Sequence, residues 1–465
     1  MSESFNACCA LILAAGKGTR MKSDAPKVMQ ELLHKPLIYY SVQAMKNAGI
    51  KNIAAVVGYH GEQVEEYLKE NFPEVSIVWQ REQLGTAHAV RMGIDWWKEY
   101  ENVLIVAGDT PLLTDATLNS LSKSHISSGN DCSVISFDLE NPVGYGRIVR
   151  SNTGIRIVEQ KDASEDEKSI KEVNSGVYVF NTKALSSVID EIKAENNQKE
   201  YYLPDAVELL QKSGRQVNAV KMPCPDEFLG VNSPLQLSEV SLIMKNRILN
   251  KWLEKGVKMV DVNSTWIGPD VILSENVYLE PDVQLWGKTS VGSGTHIGSF
   301  SAFNDTVIEE DVEIVGHVRI RNSKIARNCS VGPFVFMREN AELRENVHVG
   351  RFVELKKSVV SAYSKVPHLS YIGDTEIGER TNIGAGTITC NYDGSKKHKT
   401  KIGNDCFIGS DTILVAPVEI GDRAMTAAGS TITKNVPAEA LGIGRAVQSI
   451  IENWYKRSKM FKGGR

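Results

Sequence analysis

A six-residue repeat in the second half of the chain constrains its fold more than any other sequence feature. Apolar residues recur at every sixth position from Ile267 to Phe303, and the spacing returns, with short slips, as far as Ile420. A period of six is the signature of a parallel β-helix, in which each hexapeptide supplies a short strand and a turn. The aligned positions, which we expect to point inward, are Ile267, Leu273, Leu279, Leu285, Val291, Ile297, Phe303, Ile308, Ile314, Ile320, Ile325, Val331, Met337, Leu343, Val349, Leu355, Val360, Val366, Ile372, Ile377, Ile383, Ile402, Ile408, Leu414 and Ile420.

The first half of the chain follows a different pattern, in which short apolar strands alternate with amphipathic helices. We predict strands at 10–13, 53–57, 75–79, 103–107 and 132–137, with helices at 36–47 and 62–69. This alternation is typical of an α/β domain with a Rossmann-like, mostly parallel sheet. Ligands of such sheets bind beyond the carboxyl ends of the strands.

A long helix is predicted between the two halves. Val240, Ile243, Met244 and Ile248 have helical spacing, and Gly256 suits the C-terminal cap. The predicted organisation is therefore an α/β domain at 1–236, a linker helix at 237–256 and a β-helix domain with its C-terminal tail at 257–465. We interpret the basic tail at 454–465 as a solvated or subunit-packing helix.

Composition limits the partners and the cellular compartment that we expect for the protein. The net charge of −4 argues against nonspecific nucleic-acid binding by the whole molecule. Seven cysteines without a C-x-x-C pair favour reduced thiols and a cytoplasmic protein, with Cys8 and Cys9 packed in a strand. The apolar run at 7–15 is too short to cross a bilayer, so we expect no membrane insertion.

The first strand ends in a glycine-rich, basic loop, LAAGKGTRM at 13–21. Glycines after a strand let backbone N–H groups approach a phosphate, and Arg20 and Lys27 would add cations for a polyphosphate. The loop has no Walker A spacing, and Met21 replaces the third glycine of a dinucleotide-binding motif. Asp109 follows another apolar strand, in the stretch VLIVAGD. A carboxylate at this position can bind Mg²⁺, although an aspartate in an ordinary turn would look the same.

One hexapeptide region carries a distinctive cluster, SKVPHLSYIGD, with His368 and Tyr371. Histidine titrates near neutrality and can act as a general base. The repeat also breaks at NYDGSKKHKT, which predicts an extruded loop whose Lys396, Lys397 and Lys399 could contact the phosphate groups of a ligand or only aid solubility.

Together these motifs resemble a known family. LAAGKGTRM followed by Pro26-Lys27 resembles the sugar nucleotidyltransferases, and the repeats resemble the hexapeptide acyltransferases. Both parts in this order resemble the bifunctional N-acetylglucosamine-1-phosphate uridylyltransferases/glucosamine-1-phosphate N-acetyltransferases. The resemblance implies a left-handed β-helix, a homotrimer, and synthesis of UDP-N-acetylglucosamine, a precursor of bacterial peptidoglycan and lipopolysaccharide, from UTP, acetyl-CoA and glucosamine-1-phosphate.

The resemblance also implies residue roles. In the uridylyl-transfer site, Arg20 and Lys27 would be catalytic, and Asp109 and Asn232 would hold Mg²⁺. The remaining contacts to UTP and the sugar would come from Leu13, Ala14, Ala15, Gly16, Gln80, Gly85, Thr86, Gly146, Glu159 and Asn174.

In the acetyl-transfer site, the resemblance implies that His368 is the general base. Arg338, Lys356, Tyr371 and Asn382 would bind the sugar phosphate, for which a guanidinium fork is well suited. Acetyl-CoA would contact Ala385, Asn391, Tyr392, Ser410, Ala428 and Arg445.

Three positions depart from the family pattern. Ala107 stands where an aromatic residue commonly precedes Gly-Asp, and Val366-Pro367 replaces a small pair before His368. In addition, Met337-Arg338-Glu339-Asn340 stands where Leu-Arg-Pro-Gly is typical, which places an acid beside the proposed phosphate-binding arginine.

Other functions remain open at this point. The chain could be a single-activity nucleotidyltransferase whose β-helix serves only to form trimers. It could also be a non-catalytic regulatory subunit with the same two parts, but the presence of Arg20, Lys27, Asp109 and Asn232 argues against this alternative. A dinucleotide-dependent dehydrogenase is disfavoured by Met21.

Overall fold

The structure is a computed structural model that describes residues 8–152 and 154–457. The chain forms two compact units, Met1–Met244 and Lys245–Arg465. The boundary falls inside the helix predicted at 237–256, so a separate linker segment stays a prediction.

The first unit is built on one mostly parallel sheet. The strands are β1 Cys8–Ala14, β2 Glu31–Leu32, β3 Lys35–Pro36, β4 Asn52–Val57, β5 Ser76–Trp79, β6 Asn102–Ala107, β7 Cys132–Asp138, β8 Arg147–Ser151, β9 Gly154–Val158, β10 Glu172–Asn181 and β11 Val217–Lys221. The strand order of the sheet is β11-β7-β10-β6-β1-β4-β5, in which only β10 runs antiparallel to its neighbours, and β8 and β9 extend it from β10. A separate two-stranded ribbon is formed by β2 and β3.

Helices connect these strands. The strands and helices predicted from the sequence agree with the structure to within two residues at each end. The helices are α1 Leu37–Asn47, α2 Gly61–Asn71, α3 Thr86–Met92, α4 Ile94–Trp97, α5 Asp115–Ser128, α6 Glu165–Lys168, α7 Thr182–Val188, α8 Asp205–Lys212 and α9 Pro234–Glu254, with 3₁₀ turns at Thr19–Met21, Lys27–Met29 and Pro225–Phe228.

The predicted long helix begins three residues earlier than the pattern indicated, at Pro234, which suits the first position of a helix. It ends just before Gly256, whose φ of +86° is the left-handed conformation of a helix C-terminal cap.

The second unit is a parallel β-helix with three faces. Each strand from β12 (Lys258–Met259) to β37 (Ile413–Val415) pairs in parallel with the strand three places further along the chain, so three hexapeptides complete one coil, and the last pair, β39 (Met425–Thr426) with β41 (Leu441–Gly442), is two places apart. The first face contains β12 Lys258–Met259, β15 Tyr278–Leu279, β18 His296–Ile297, β21 Glu313–Ile314, β24 Ser330–Val331, β27 His348–Arg351, β30 Lys365–His368, β33 Asn382–Ile383, β36 Phe407–Ile408, β39 Met425–Thr426 and β41 Leu441–Gly442.

The other two faces have the same construction. The second face contains β13 Trp266–Ile267, β16 Gln284–Trp286, β19 Ala302–Asn304, β22 Arg319–Arg321, β25 Val335–Arg338, β28 Val353–Lys356, β31 Tyr371–Gly373, β34 Ile388–Cys390, β37 Ile413–Val415 and β40 Thr431–Ile432. The third contains β14 Ile272–Leu273, β17 Ser290–Val291, β20 Val307–Ile308, β23 Lys324–Ile325, β26 Glu342–Leu343, β29 Val359–Val360, β32 Thr375–Ile377, β35 Thr400–Ile402 and β38 Val418–Ile420.

The hexapeptide prediction is confirmed by burial. Every apolar position in the repeat series, from Ile267 to Ile420, is buried in one continuous core. Two inward positions were missed because they are polar: Thr389 lies buried in β34, inside the gap between Ile383 and Ile402, and Thr426 continues the series beyond Ile420. The predicted loop is present between Cys390 and Thr400, but Thr400 itself begins β35.

The cysteines, the hydrophobicity of the helices and the C-terminal tail can also be compared with the predictions. All seven cysteines are free, and Cys8 and Cys9 are buried in β1 as expected. No helix within the described part of the chain is long and apolar enough to cross a membrane. The basic tail forms a short helix, α10 Trp454–Arg457, and the rest of the predicted tail lies outside the described residues.

Candidate active sites

A cavity of about 470 Å³ opens at the carboxyl end of β1 in the first unit. This is the edge at which parallel α/β sheets bind ligands. The cavity brings together nine of the residues predicted for the uridylyl-transfer site: Leu13, Ala14, Ala15, Gly16, Lys27, Gln80, Gly85, Thr86 and Asp109. Ala107, one of the departures from the family pattern, also lines it.

A compact polar cluster lies beside the glycine-rich loop. The Lys27 ammonium is paired with the Asp109 carboxylate and lies 2.6 Å from the amide oxygen of Asn232. Arg20 donates to the same amide oxygen at 2.9 Å. The backbone N–H of Val231 donates to the Asp109 carbonyl, which holds the Asn232 loop in place. Residues more than 200 positions apart in the sequence therefore converge.

This cluster fits a magnesium ion carried by a nucleotide. Asp109 and Asn232 present oxygen atoms to one cation, the Lys27 ammonium. Mg²⁺ prefers oxygen ligands and is usually held by one or two carboxylates together with substrate phosphates. No group of three or more His, Cys, Asp or Glu side chains suited to a metal occurs among the described residues. The residues present suit an ion that takes its other ligands from phosphate and water.

The residues predicted to hold the sugar form a second group. The Asn174 N–H donates to the Gly146 carbonyl at 2.9 Å, and a methyl group on Gly146 would lie 3.2 Å from a carboxylate oxygen of Glu159. Burial raises the pKa of Glu159, and the negative charges of Asp162 and Asp205 raise it further. The side chain of Asn174 donates to the Tyr178 hydroxyl at 2.6 Å, so its orientation is fixed.

The structure adds residues that the sequence patterns did not indicate. Gln83 and Glu200 line the cavity. Gly85 packs directly on the backbone of Tyr201, because a methyl group there would lie 2.5 Å from its carbonyl oxygen. Gln80 is buried and donates to the Gly85 carbonyl at 3.1 Å, which orients the loop before α3. No local motif signals Glu200 or Tyr201, which reach the site only through tertiary packing.

In the second unit, the two predicted phosphate-binding cations are neighbours. Arg338 of β25 pairs in register with Lys356 of β28. Arg338 donates to Glu354 at 2.9 Å, and the buried Lys356 ammonium lies 3.8 Å from Asp374. Glu339 contacts both cations: it is paired with Arg338 and lies 3.4 Å from the Lys356 ammonium.

The predicted sugar contacts continue from this pair. A methyl group on Gly373 would lie 2.6 Å from the Tyr371 hydroxyl and 2.7 Å from the Asn391 amide nitrogen, so both side chains lie over that glycine. The Asn391 amide donates to Asp374 at 2.5 Å. Asn382 lies on a different face, opposite Lys365 and Phe407.

The extruded loop folds toward the same cations. The pKa of Lys356 is raised by a hydrogen bond with the Lys397 amine and by the carboxylates of Asp374 and Glu339. Lys397 therefore lies at the proposed sugar-phosphate group, whereas Lys399 is paired with Glu376 at 3.1 Å. Tyr392 is exposed on this loop, and its hydroxyl donates to the Gly394 carbonyl.

His368 lies on one corner of the prism. It pairs in register with Arg351, and continuing the registers of Lys365 with Asn382, Ile383 with Ile408, and Ile408 with Thr426 places three further residues in line. We call this line the His368 corner, formed by Arg351, His368, Ala385, Ser410 and Ala428. Its backbone bonds include Asp411 N–H to Ala385 at 2.7 Å and Gly429 N–H to Ser410 at 2.8 Å.

The His368 corner thus collects residues predicted for both base catalysis and acetyl-CoA binding. Arg445 lies one residue beyond Gly444, the position that continues the same line from Ala428. The imidazole of His368 is exposed, and its backbone carbonyl accepts a hydrogen bond from the Ser370 hydroxyl at 2.8 Å. The structure therefore leaves the ring open to a ligand.

Comparison with known proteins defines the class of each unit. Residues 9–225 match the nucleotidyl transferase family, and residues 399–434 match the bacterial transferase hexapeptide family of six repeats. The fold and the two site regions therefore define a transferase with a nucleotidyltransferase domain and a hexapeptide-repeat domain.

Whole-chain relatives define the family. The chain is 45% identical to the bifunctional protein GlmU of Carboxydothermus hydrogenoformans, over 96% of this chain and 99% of the relative. It is 44% identical to that of Heliobacterium modesticaldum, over 96% and 98%, and 40% identical to that of Clostridioides difficile, over 96% and 97%. The chain belongs to the GlmU family of bifunctional proteins.

Proposed function

We propose that this chain is a bifunctional enzyme that makes UDP-N-acetylglucosamine. The second unit transfers an acetyl group from acetyl-CoA to glucosamine-1-phosphate. The first unit then transfers a uridylyl group from UTP to N-acetylglucosamine-1-phosphate and releases pyrophosphate. The observation that carries this proposal is the presence, in one chain, of the Lys27–Asp109–Asn232 cluster and the His368 corner.

In uridylyl transfer, the sugar phosphate is already an anionic nucleophile, so no protein base is required. One of its oxygens attacks the α-phosphorus of UTP, and the bond to the pyrophosphate oxygen breaks. The backbone N–H groups of residues 14–18 and the cations of Arg20 and Lys27 would orient the triphosphate and balance its charge. Mg²⁺, held by Asp109 and Asn232, would supply further charge neutralisation when bound.

In acetyl transfer, the amine of glucosamine-1-phosphate must lose a proton before it can attack. His368 would take that proton at an open ring nitrogen, while Arg338 and Lys356 hold the phosphate. The new bond joins the amine nitrogen to the acetyl carbon, the thioester C–S bond breaks, and the leaving thiolate takes up a proton. General-base catalysis of this kind contributes about 10²- to 10⁴-fold.

Two variants test whether the activities are separate. We expect His368→Ala to abolish release of free thiol from acetyl-CoA while leaving pyrophosphate release from UTP and N-acetylglucosamine-1-phosphate unchanged. Asp109→Ala should have the reverse effect. If the wild-type protein releases no thiol with glucosamine-1-phosphate, the alternative of a single-activity nucleotidyltransferase with a structural prism is correct.

We propose further that the protein is a homotrimer assembled through the prism. Four aromatic rings, those of Phe300, His317, Phe334 and Phe352, stack along one corner with centroids 4.9–5.0 Å apart, and Leu369 extends the row. We call these five residues the aromatic ladder. Its side chains line a groove of about 740 Å³ that reaches Tyr371. A row of exposed aromatic residues supports packing against another copy of the chain.

Analytical ultracentrifugation tests this assembly. Phe334→Glu together with Phe352→Glu should reduce the sedimenting mass to that of the monomer, because a charged pair cannot be buried in an apolar interface. Tyr363→Glu, which changes an exposed aromatic residue outside the ladder, should leave the mass unchanged. A monomeric wild-type protein would contradict the proposal.

We also place the enzyme in the cytoplasm. The seven free thiols support this location, because disulfides are rare in reducing compartments. Fluorescence microscopy of a tagged chain, with a periplasmic protein as control, would test it.

A further inference from the structure

Glu339 stands between the two cations of the proposed acetyl-transfer site. It follows β25 directly, and both Glu339 and Asn340 adopt left-handed backbone conformations with φ of +54° and +62°. This tight corner turns the Glu339 side chain back over the strand, toward Arg338 and Lys356. The position is one of the departures from the family pattern.

The Glu339 carboxylate uses both of its oxygens. One is paired with the Arg338 guanidinium, and the other lies 3.4 Å from the Lys356 ammonium. Two anionic oxygens that bridge an arginine and a lysine reproduce the contacts that a phosphate monoester would make with the same groups. The carboxylate therefore occupies the position expected for the substrate's phosphate.

The three carboxylates in this group differ in freedom. The side chain of Glu339 is 49% exposed, whereas that of Asp374 is 8% exposed and is held by the Asn391 amide. Glu354 bonds Arg338 from the neighbouring strand β28. If Glu339 rotates into solvent, Arg338 and Lys356 each keep one carboxylate partner, so departure of Glu339 leaves no buried charge unpaired.

We propose that Glu339 is an internal, displaceable anion that the sugar phosphate must replace in order to bind, and that it thereby sets the phosphate affinity of this site. The proposal rests on the proposed acetyl-transfer function for the identity of the ligand. Glu339 is a specificity-determining residue rather than a catalytic one, because it acts through Arg338 and Lys356.

Steady-state kinetics of acetyl transfer test the proposal. Glu339→Gln should lower the KM for glucosamine-1-phosphate about two- to fivefold at low salt, the range that a partly exposed ion pair supports, with kcat unchanged. Glu339→Asn should act in the same direction, and asparagine also tolerates the left-handed backbone. Glu345→Gln, which removes an exposed partner of Arg327 elsewhere on the prism, should leave the KM unchanged.

Binding of inorganic phosphate gives a second test that does not depend on catalysis. Isothermal titration of the full-length chain with phosphate should show tighter binding to both Glu339 variants than to the wild type, with unchanged melting temperatures. Equal or weaker binding by a folded Glu339→Asn protein would overturn the proposal. If the wild type shows no acetyl transfer, the proposed function fails, but the phosphate titration still decides the role of Glu339.

Discussion

Gly18 packs against the side chain of Lys27 so closely that a methyl group on Gly18 would lie 2.6 Å from the Lys27 Cβ. Gly18 also has a φ of +60°, a conformation that glycine adopts without cost. The loop glycine therefore has two functions: it allows the turn and leaves room for the lysine that contacts Asp109 and Asn232.

Gly18→Ala should displace Lys27 and reduce uridylyl transfer. Misplacement of a positioning group by about 1 Å can cost about 10²-fold in rate, so we expect a loss of that order in kcat/KM. Pyrophosphate release measures this activity. Thiol release by the same protein is the internal control, and an equal loss of both activities would indicate general misfolding.

Gly350 positions the segment that carries His368. A methyl group on Gly350 would lie 1.9 Å from the carbonyl oxygen of Pro367, a backbone atom that cannot move without shifting its neighbours. Gly350→Ala should therefore reduce acetyl transfer by about 10²-fold. Uridylyl transfer should be retained, and normal acetyl transfer by the variant would show that the position of His368 is not critical.

Two buried threonines of the prism provide a matched pair for stability. The Thr389 hydroxyl accepts a hydrogen bond from the Gly373 N–H at 2.7 Å, whereas the buried Thr400 hydroxyl has no hydrogen-bond partner among the described residues. Thr389→Val should lower the free energy of unfolding by about 1–3 kcal/mol, because it leaves that N–H unsatisfied. Thr400→Val should be neutral or stabilising. Urea unfolding followed by circular dichroism measures both free energies of unfolding, and a Thr400→Val protein that is less stable than Thr389→Val would contradict this prediction.

His125 should make the first unit sensitive to acid. Its ring is buried, with Ser133 at 3.0 Å and Asn102 at 3.2 Å from its nitrogens, and burial lowers its pKa to about 4. In the unfolded chain, His125 takes up its proton near pH 6.5, so between pH 6.5 and pH 4 the folded state binds fewer protons than the unfolded state. The contribution of His125 to the free energy of unfolding is fully present above pH 6.5 and falls by about 3 kcal/mol on acidification to pH 4.

A substitution isolates this contribution from the other titrating groups. His125→Gln should flatten the dependence of unfolding free energy on pH between 7 and 4, although it lowers stability at pH 7. His60→Asn, which changes an exposed histidine of the same unit, should leave the slope unchanged. Equal slopes for the wild type and His125→Gln would contradict the assignment.

The fold was predictable because its determinants are periodic and local. The inward position of each coil must be apolar, as at Leu285 and Leu355, so the repeat is visible in the letters alone. The pattern failed at Thr389 and Thr426, where a hydroxyl satisfies a backbone group inside the prism and replaces apolar packing. Hydropathy cannot distinguish such a threonine from a surface one.

The candidate sites were predictable only in part. Asp109 and the glycine-rich loop follow strands, so the shared edge of the sheet could be inferred from the sequence. Glu200 lines the cavity at the end of β1, and the backbone of Tyr201 packs against Gly85, and no local pattern records either placement. Likewise, the acid at Glu339 was visible in the sequence, but its contact with Lys356 depends on the register of β25 with β28.

The coil length has a consequence for how this domain can vary. Gln284 pairs with Ala302, 18 residues later, and Ala302 pairs with Arg319, 17 residues later. Duplication of one whole coil would lengthen the β-helix, and every original strand would still pair in register with a neighbouring strand. A shorter insertion would have to bulge at an edge, as the stretch at 391–399 does. The length of the β-helix can therefore change by whole coils during evolution while the residues of its candidate site keep their positions.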